Sequence, residues 1–595
     1  MYRAARRCVF TRSRWSQNAI QLKQFSSLHL NQQPPLVSLV SARAALSLNP
    51  GNPIATGRFI RHYSYQLRDD TIYALSTAEG KAGIAVIRIS GPACRSIYHG
   101  LCPGKPFLKP RHATIRTLYH PDSSESEILD SEALVLFFPN PKTVTGDDVL
   151  ELHVHGGSAT VKAVLSAIPK CVAEGPIRYA EPGEFTKRAF LNDRLDLAQV
   201  EALSETLAAE TEQQRRAAVR GSSGSLGRTY EDWRKSLLYA RAEMEALIDF
   251  SEDQHFDESP ASLVRNVTNQ VRQILQSIHV HEGASERSEL LRNGIKIALV
   301  GPPNVGKSSF MNQIIGREAS IVSGESGTTR DIIEANLDIR GYLCTFADTA
   351  GFRSSASVEP TGARASAEAI GAVEEEGIRR ARVKATQSDV IIVLTSIEMD
   401  TLGKPQIRFD METLRLAAGS KERLVIVNKR DAISDKDLRV LVQRFGEEVL
   451  GRVNGLEGIQ PIPISCKEAQ DLGSDQIDPG GLRGVIDALV TSFTTMTSLP
   501  ATLQDLHGVT ERQRQLLVKC RGHLEDYLET VGYTEPIGGN GHHDQFEGSE
   551  DADITMAAEH LRYAANDLGR ITGRGDVGDV EEILGVIFEK FCVGK

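Results

Sequence analysis

Short apolar runs separated by turn residues characterise the chain between residues 70 and 195. Ile84–Ile89 and Ala133–Phe138 have the length and the composition of β-strands, and pairs of Gly and Pro interrupt the chain between such runs. This pattern predicts an N-terminal α/β domain, to which we assign residues 64–194.

From residue 195 onward the spacing of apolar residues becomes helical. They recur at intervals of three and four positions, as in Leu237, Ala240, Met244, Leu247 and Ile248. A helical pattern returns in residues 486–595, where the polar, acidic stretch 538–553 is predicted to be a disordered loop. The stretches 195–292 and 486–595 therefore predict one helical domain formed from two halves.

Between these halves, strands of the buried type alternate with helices. Apart from Lys296, the stretches Lys296–Val300, Ile391–Leu394 and Leu424–Val427 are apolar throughout, which is typical of parallel strands covered on both faces. We expect residues 293–485 to form an α/β domain with a mostly parallel sheet, inserted into the helical domain. The fold class predicted for the whole chain is α/β plus α.

Composition places the chain among ordinary globular proteins. Its 595 residues are too many for one core, and the hydrophobic and charged fractions of 41% and 25% are typical. No apolar run approaches the roughly 20 residues that a membrane helix needs, so we expect no membrane span. The eight Cys form no CxxC pair and no cluster with zinc spacing, which argues against a disulfide framework or a zinc finger.

The first 68 residues contain no Asp or Glu, and Arg residues are scattered among Ser, Ala, Leu and Gln. That composition predicts a mitochondrial transit peptide over residues 1–63 and a location in the mitochondrial matrix. Removing its nine Lys and Arg would change the formal net charge from -10 to -19. A chain this acidic is not a general nucleic-acid binder, and any RNA contact needs a local basic face.

Residues 301–308 read Gly-Pro-Pro-Asn-Val-Gly-Lys-Ser, a complete phosphate-binding loop between a predicted strand and a predicted helix. The glycines let backbone amides point at phosphate oxygens, and the positive end of the helix adds to the attraction. Lys307 would bridge the β- and γ-phosphates, and Ser308 would hold Mg²⁺.

Four further motifs follow in the order found in GTP-binding proteins. Gly327–Asp331 matches a first switch, in which Thr329 would ligate Mg²⁺, and Asp348–Gly351 matches a sensor of the metal and the γ-phosphate. Asn428–Asp431 selects guanine, because Asp431 can accept two hydrogen bonds that adenine cannot donate, and Ser465–Lys467 completes the base pocket. The five motifs predict a Ras-like GTPase, a GTP hydrolase. The expected nucleotide-binding residues are Asn304, Val305, Gly306, Lys307, Ser308, Ser309, Ser323, Thr328, Thr329, Asp348, Thr349, Ala350, Gly351, Asn428, Lys429, Asp431, Ser465, Cys466 and Lys467.

One familiar catalytic group is missing from these motifs. Phe352 stands where many small GTPases carry a glutamine that orients water, and no arginine finger is evident in the chain. A different charge must stabilise the transition state.

The segments with the most specific sequence lie outside the GTPase motifs. Thr71–Ala74, Gly83–Gly91, Pro182–Asn192 and the terminal Phe591–Lys595 resemble the MnmE (TrmE) family of tRNA modification GTPases, in its mitochondrial, fungal (Mss1-like) form. The resemblance implies a homodimer that acts on mitochondrial tRNA with an FAD-containing partner of the MnmG/Mto1 type, in a heterotetramer. The implied product is a 5-carboxymethylaminomethyl or taurinomethyl uridine at the wobble position.

The resemblance also implies a folate site in the N-terminal domain, with 5-formyl- or 5,10-methylene-tetrahydrofolate as the one-carbon donor. It further implies that two copies of the chain dimerise through this domain. The family positions correspond to Arg88, Glu151, Arg194 and Lys595, with Arg194 standing where Lys is common. Cys592 is a candidate for the one-carbon chemistry. The alternative is that Cys592 serves only as a small apolar side chain buried in the core.

For catalysis, the resemblance implies that K⁺ replaces the missing arginine when two GTPase domains associate. The corresponding K⁺ ligands are Asn304, Ser323, Glu325 and Thr328. Glu325 departs from the usual apolar residue, which is tolerable if its backbone carbonyl is the ligand. The resemblance implies that Glu374 orients the attacking water, and Glu375 is the alternative residue for this role. Lys307 and Asn304 are the other expected catalytic residues. The segment between Gly351 and Val373 is longer than the family leads us to expect.

Several alternatives stay open. His153 and His155 are either a metal pair or, as we prefer, structural residues. The basic residues Lys187, Arg188, Arg215, Arg216 and Arg220 form either an RNA-binding face or a merely solvated one. A ribosome-assembly GTPase and a folate-binding GTPase with no tRNA role are the competing functions. The sequence leaves open which tRNAs are modified and whether glycine or taurine supplies the amine.

Overall fold

The structure of the protein is a computed structural model. It describes residues 70–122, 127–249, 260–317, 319–321, 335–347, 383, 385–470, 478, 480–532, 553–574, 591 and 594.

The N-terminal domain is built on a six-stranded sheet. Its strands are β1 (Thr71–Leu75), β2 (Ile84–Ser90), β3 (Thr114–Tyr119), β4 (Ile128–Phe138), β5 (Val149–His155) and β6 (Ile177–Tyr179). The order is β3-β4-β5-β2-β1-β6, and every neighbouring pair is antiparallel except β1 with β6. The predicted strands Ile84–Ile89 and Ala133–Phe138 fall within β2 and β4 and are confirmed.

One face of this sheet is closed by helices α1 (Cys94–Leu101) and α2 (Ser158–Ala167), whose apolar side chains share a core with Ile87, Ile89 and Leu152. Strand residues alternate between the two faces, so Arg88, Glu151 and His153 lie on the opposite, half-exposed face. Helix α3 (Glu184–Leu191) follows the last strand.

The helical domain contains α4 (Leu197–Ala208), α5 (Glu212–Gly221), α6 (Ser225–Asp249) and α7 (Pro260–Asn293) from its first half. Helices α12 (Glu511–Thr530) and α13 (Ile554–Thr572) come from the second half. Leu237, Ala240, Met244 and Leu247 of α6 are buried in one core with side chains of α7, α12 and α13. The predicted helical period is therefore correct, and the two halves form a single domain.

Local sequence signals begin these helices. Reciprocal capping boxes at Asp196–Gln199, Thr211–Gln214 and Thr510–Gln513 start α4, α5 and α12. Glu201 of α4 then joins the halves, because it accepts hydrogen bonds from the Thr510 hydroxyl at 3.2 Å and from the Gln513 amide at 2.7 Å.

The inserted domain is built on an eight-stranded sheet. Its strands are β7 (Ile295–Val300), β8 (Ala319–Ile321), β9 (Ala335–Ile339), β10 (Tyr342–Ala347), β11 (Val390–Met399), β12 (Pro405–Arg408), β13 (Glu422–Asn428) and β14 (Ile462–Pro463). The order is β14-β13-β11-β7-β10-β9-β8, with β12 paired to β11. The strands from β14 to β10 are parallel, as predicted, while β9, β8 and β12 are antiparallel to their neighbours.

Helices α8 (Lys307–Arg317), α9 (Met411–Ala418), α10 (Asp435–Glu448) and α11 (Leu482–Thr497) cover the two faces of this sheet. Helix α11 begins inside the range 293–485 assigned to this domain and continues past it. Because Val485, Leu489 and Phe493 are buried in the core beneath the sheet, we place the end of the domain after Thr497.

Among the described helices, none combines the length and the apolar character required to cross a lipid bilayer.

Candidate functional site

The phosphate loop joins the end of β7 to the start of α8 and requires glycine at two positions. Gly301 and Gly306 have φ angles of +149° and +98°. A Cβ atom would lie 2.1 Å from the Leu394 carbonyl oxygen at Gly301 and 2.4 Å from the Asn428 Nδ2 atom at Gly306. The loop can therefore approach β11 and β13 only because both residues lack a side chain.

Asn304 lies at the tip of this loop with a φ of +67° and an exposed side chain. Asn tolerates the left-handed region better than most residues, because its short amide can bond locally. The conformation leaves an amide oxygen at the loop surface, where a cation beside bound phosphates could take it as a ligand.

Lys307 and the two serines occupy the first turn of α8. The Lys307 ammonium donates hydrogen bonds to the Gly301 and Pro302 carbonyl oxygens, at 2.8 and 2.9 Å, so it is already held across the loop. Ser308 and Ser309 are exposed beside it. An ammonium, a helix N-terminus and a row of backbone amides together form an anion-binding site.

Asn428, at the end of β13, links the base-recognition motifs to the phosphate loop. Its amide donates to the Val305 carbonyl oxygen at 2.8 Å, and its Oδ1 atom accepts from the Cys466 backbone amide at 3.2 Å. The side chain is only 3% exposed. Three of the predicted nucleotide-binding segments are therefore held together by one buried amide.

Asp431 is oriented by the next motif along the chain. The Ser465 hydroxyl donates to Asp431 Oδ1 at 2.6 Å, and Ser465 itself is fully buried. A charge-assisted bond on one oxygen leaves the carboxylate in a fixed direction for a base with two N–H donors. The backbone amide of Cys466 donates to Asn428 Oδ1. Burial raises the pKa of the Cys466 thiol to about 11, against a smaller opposite effect of a side-chain hydrogen bond with Asn428. Lys467 is exposed.

The partner of Lys429 could not be predicted from the sequence. This residue has a φ of +65°, and its ammonium lies 3.4 Å from Glu398 Oε1 on β11. Arg408 lies 3.3 Å from the other carboxylate oxygen. Burial acts to raise the pKa of Glu398, but the charges of Arg408 and Lys429 outweigh it and the pKa is lowered. The pairing fixes the direction of the Lys429 stem.

Several predicted site residues lie outside the described part of the chain. They are Ser323, Glu325, Thr328, Thr329, Asp348, Thr349, Ala350, Gly351, Glu374, Cys592 and Lys595.

On the N-terminal sheet, the structure brings together two of the residues expected to bind folate. Arg88 and Glu151 are direct cross-strand neighbours, and Arg88 Nε donates to Glu151 Oε1 at 3.0 Å. The Nε2 atom of His153 lies 3.5 Å from Glu151 Oε2, and this buried nitrogen has no hydrogen-bond partner among the described residues. A buried nitrogen without a hydrogen bond calls for an explanation, such as a bound water molecule, ion or ligand.

The end of the chain returns to the same domain. The Ser76 hydroxyl donates to the Gly594 carbonyl oxygen at 2.9 Å, and a Cβ at Gly594 would lie 2.1 Å from the Leu75 carbonyl oxygen. Phe591 is buried beside Leu197 and Val200 of α4. Residue 594 therefore lies at the end of β1, the strand next to the one that carries Arg88. Arg194, which is also expected to bind folate, does not pair with Arg88 or Glu151 in the described contacts. Its Nε atom donates to the Thr143 carbonyl oxygen at 3.1 Å.

His155 has a partner that explains it without a metal. Its ring Nδ1 lies 2.9 Å from Asp130 Oδ1, and its backbone amide donates to Asp130 Oδ2 at 2.8 Å. Burial would raise the pKa of Asp130, but the hydrogen bonds from His155 and Glu132 lower it. The contacts agree with a structural role for His155.

The candidate basic face needs a correction at Arg188. This side chain is 2% exposed and pairs with Asp70 at 2.6 Å and with Glu184 at 3.3 Å, so it cannot present its charge to RNA. Arg215 and Arg216 are exposed, but both pair with Glu212 at 2.8 Å. The expectation failed at Arg188 because a motif on a short helix does not reveal which side of the helix is buried.

Comparison with known proteins covers nearly the whole described chain. Residues 71–194 match the family model of the GTP-binding protein TrmE N-terminus, and residues 197–592 match that of the MnmE helical domain. A tRNA modification GTPase MnmE of Parvibaculum lavamentivorans is 38% identical over 526 residues, which are 88% of this chain and all of the relative.

Two mitochondrial proteins are similar to nearly the same extent. The tRNA modification GTPase mss1 of Schizosaccharomyces pombe is 34% identical over 90% of this chain and 97% of its own length. A 5-taurinomethyluridine-[tRNA] synthase subunit of Danio rerio is 36% identical over 89% of this chain and 93% of its own length.

Proposed function

The chain belongs to the MnmE (TrmE) family of tRNA modification GTPases, and from this premise we propose that it hydrolyses GTP in the mitochondrial matrix to modify the wobble uridine of mitochondrial tRNAs. Mitochondrial relatives of similar length and the acid-free first 68 residues support the location. The modified base would be a 5-carboxymethylaminomethyl or a taurinomethyl uridine.

The observation that carries the GTPase part is the buried bond between Asn428 and Val305. The bond links the segment that carries Asp431, which we propose to select guanine, to the phosphate loop, and the Ser465 hydroxyl orients the Asp431 carboxylate. A carboxylate that accepts two hydrogen bonds selects guanine, because adenine would leave it unpaired in a desolvated pocket.

For phosphate binding, Lys307 would exchange its bonds to the Gly301 and Pro302 carbonyls for bonds to the β- and γ-phosphates. Ser308 and Thr329 would hold Mg²⁺ together, because a hard cation prefers oxygen ligands such as their hydroxyl groups. When bound, the metal supplies positive charge at the phosphates. The residues present fit it, since the Ser308 hydroxyl is exposed at the first turn of α8, directly after Lys307.

The K⁺ site is proposed at Asn304, with Ser323, Glu325 and Thr328. The exposed amide of Asn304 on a positive-φ backbone fits a cation that prefers neutral oxygen ligands. When bound, K⁺ supplies the charge that an arginine finger supplies elsewhere. Glu374, with Glu375 as the fallback, would hold the attacking water, and closure of two GTPase domains would complete the site.

The folate site is proposed on the half-exposed face of the N-terminal sheet. Glu151 would accept hydrogen bonds from a reduced pterin, while Arg88, Arg194 and Lys595 would bind its anionic tail. The buried, unpartnered nitrogen of His153 beside Glu151 supports a ligand there. When bound, 5-formyl- or 5,10-methylene-tetrahydrofolate would supply the one-carbon group, and we propose Cys592 for its chemistry.

The assembly is proposed from the family alone. Two copies would dimerise through their N-terminal domains, and an FAD-containing protein of the MnmG/Mto1 type would complete a heterotetramer on tRNA. The ribosome-assembly alternative predicts no TrmE-like N-terminal region, and the match over residues 71–194 contradicts it.

Mass spectrometry of nucleosides from mitochondrial tRNA tests this function. A strain that lacks the protein should lose the wobble modification, and wild-type protein should restore it. Unaltered wobble uridines in the deletion strain would contradict the tRNA role and would favour a folate-binding GTPase with another purpose.

A further inference from the structure

Helices α12 and α13 run antiparallel in the helical domain and bring three possible metal ligands together. Arg512, at the start of α12, donates to the Arg570 and Ile571 carbonyl oxygens at the end of α13, which defines the antiparallel pairing. Further along α12, His523 and Asp526 are three residues apart and therefore lie on one face. His560 of α13 faces them, and one ligand atom from each of the three residues lies within 4.8 Å of the other two.

We propose that His523, Asp526 and His560 bind a divalent zinc ion that joins α12 to α13. This site belongs to the helical domain and is independent of GTP, folate and tRNA.

Two buried polar atoms in and next to this cluster have no hydrogen bond within the part of the chain that the structure describes. The His560 side chain is 17% exposed, its Nδ1 atom is buried without a hydrogen bond among the described residues, and it lies 4.0 Å from Asp526 Oδ2. Asp567, one turn before the end of α13, is 6% exposed, and its Oδ2 atom is also unbonded and 3.6 Å from His523 Nε2. Native proteins rarely leave buried polar atoms unsatisfied. A metal bound to His560 would satisfy the first atom, and the ring N–H of a metal-bound His523 would satisfy the second.

The ligand chemistry favours zinc over the commoner hard cations. Two imidazoles and one carboxylate match a three-residue zinc site that keeps a fourth position for water, whereas Ca²⁺ and Mg²⁺ prefer oxygen alone. Zinc bonds to nitrogen and oxygen are about 2.0–2.2 Å long, so neighbouring ligand atoms in a tetrahedral site lie roughly 3.4 Å apart. Asp526 is 56% exposed, and rotation of its side chain can shorten its 4.0 Å distance to His560.

Asp567 is the positioning residue of this site. A histidine that binds a metal usually donates its other ring N–H to a carboxylate, which fixes the tautomer and makes the ligand more basic. Asp567 Oδ2 is placed to accept that bond from His523. Burial raises the pKa of Asp567, while the nearby charges of His523, Arg570 and Lys519 act against it.

Calorimetric titration of the purified, chelator-treated chain with zinc chloride, in excess Mg²⁺, tests the site. We expect one zinc ion per wild-type chain. His523→Gln, His560→Gln and Asp526→Asn should each weaken binding at least tenfold, and Asp567→Asn about 10- to 100-fold through His523. His279→Gln, which changes an exposed histidine of the same domain, should bind zinc as the wild type does.

Circular dichroism and Co²⁺ absorption keep the result interpretable. Each variant should retain the wild-type helical signal, and Co²⁺ in the wild type should give the intense visible absorption of a tetrahedral site. No saturable zinc binding by the wild type would overturn the proposal, as would unchanged affinity in His523→Gln and His560→Gln. A six-coordinate Co²⁺ spectrum in the wild type would also overturn the proposal. This result needs no variant, so it stands even if a variant fails to fold.

Discussion

The amide of Asn428 donates to the backbone carbonyl of Val305 at 2.8 Å, so a residue that we propose for guanine recognition also supports the loop proposed to bind phosphate. The bond is buried, and the Oδ1 atom of the same side chain accepts from the backbone amides of Lys429 and Cys466. The segments proposed to recognise the base and to bind the phosphates are therefore parts of one hydrogen-bonded network.

Asp431→Asn should change the nucleotide that the protein binds. The amide loses the charge that accepts two guanine N–H groups, so GTP affinity should fall roughly a hundredfold or more, given about 1.5–3 kcal/mol for each hydrogen bond to a charged group. Xanthosine triphosphate should gain affinity, because its second ring carbonyl can accept from the new amide. Equilibrium binding of fluorescent nucleotides measures both. Asp435→Asn, in an exposed position on α10, is the control, and an unchanged GTP affinity in Asp431→Asn would contradict the assignment.

Gly306→Ala should abolish tight nucleotide binding. The new Cβ would lie 2.4 Å from Asn428 Nδ2, in addition to the unfavourable φ of +98°. Gly403→Ala separates the two effects, since Gly403 has a φ of +75° but open space around it. We expect Gly403→Ala to cost only the backbone strain, on the order of 1 kcal/mol of unfolding free energy, with normal GTP binding. Equal GTP affinity in the two variants would show that the contact with Asn428 is unimportant.

Asn304→Gly should remove the stimulation of GTP hydrolysis by K⁺. Glycine accepts the φ of +67°, so the variant deletes the amide without straining the loop. Turnover in K⁺ should fall at least about tenfold, toward the rate in Na⁺, which corresponds to ~1.4 kcal/mol of transition-state stabilisation.

Arg111→Gly is the matched control, because Arg111 also has a positive φ, of +60°, but belongs to the N-terminal domain. Steady-state phosphate release in the two salts is the measurement. Equal rates of the wild type in K⁺ and Na⁺ would remove Asn304 from its proposed role.

The helical domain should lose stability as the pH falls below 6.5. Burial lowers the pKa of His281 from 6.5 to about 4, so between these values the unfolded chain takes up a proton that the folded chain refuses. The contribution of His281 is therefore complete above pH 6.5 and is lost progressively down to about pH 4. At about 1.4 kcal/mol per pKa unit, the loss is on the order of 3 kcal/mol.

Urea unfolding followed by Trp233 fluorescence measures this effect, because Trp233 packs against the core of the helical domain and its ring lies 4.9 Å from that of His281. His281→Gln should flatten the dependence of stability on pH, whereas His279→Gln, two residues earlier and exposed, should leave it unchanged. An equal slope in His281→Gln and the wild type would refute the explanation.

Local patterns in the sequence were enough to predict the elements that position the site. The predicted strand end at Val300 agrees with the structure, and the predicted end at Val427 is one residue short of the observed end at Asn428. The helical stripe of Leu237, Ala240 and Met244 follows from periodicity, which reports burial directly. The phosphate loop and the guanine motif could be predicted because their chemistry requires fixed residue types at short spacing.

Contacts between distant segments could not be predicted in this way. Ser76 and Gly594 are 518 positions apart in the sequence but form a hydrogen bond. Glu398 contacts Lys429 because β11 and β13 are neighbours in the sheet, and this strand order cannot be read from local patterns. The sequence pattern predicts Arg188 as a surface cation. A charged side chain is buried only together with partners, here Asp70 and Glu184, and periodicity does not reveal such partners. The predicted domain boundary at residue 485 falls inside helix α11, because the same helical period suits either neighbouring core.

The central claim, that GTP hydrolysis by this chain drives tRNA modification, is tested most directly by reconstitution. The purified chain, an MnmG/Mto1-type partner with FAD, a reduced folate, an amine and unmodified mitochondrial tRNA should be combined, and the wobble nucleoside followed by mass spectrometry. The account predicts a modified uridine with GTP and none with ATP or a non-hydrolysable GTP analogue. Equal modification with the analogue, or with no nucleotide, would contradict it.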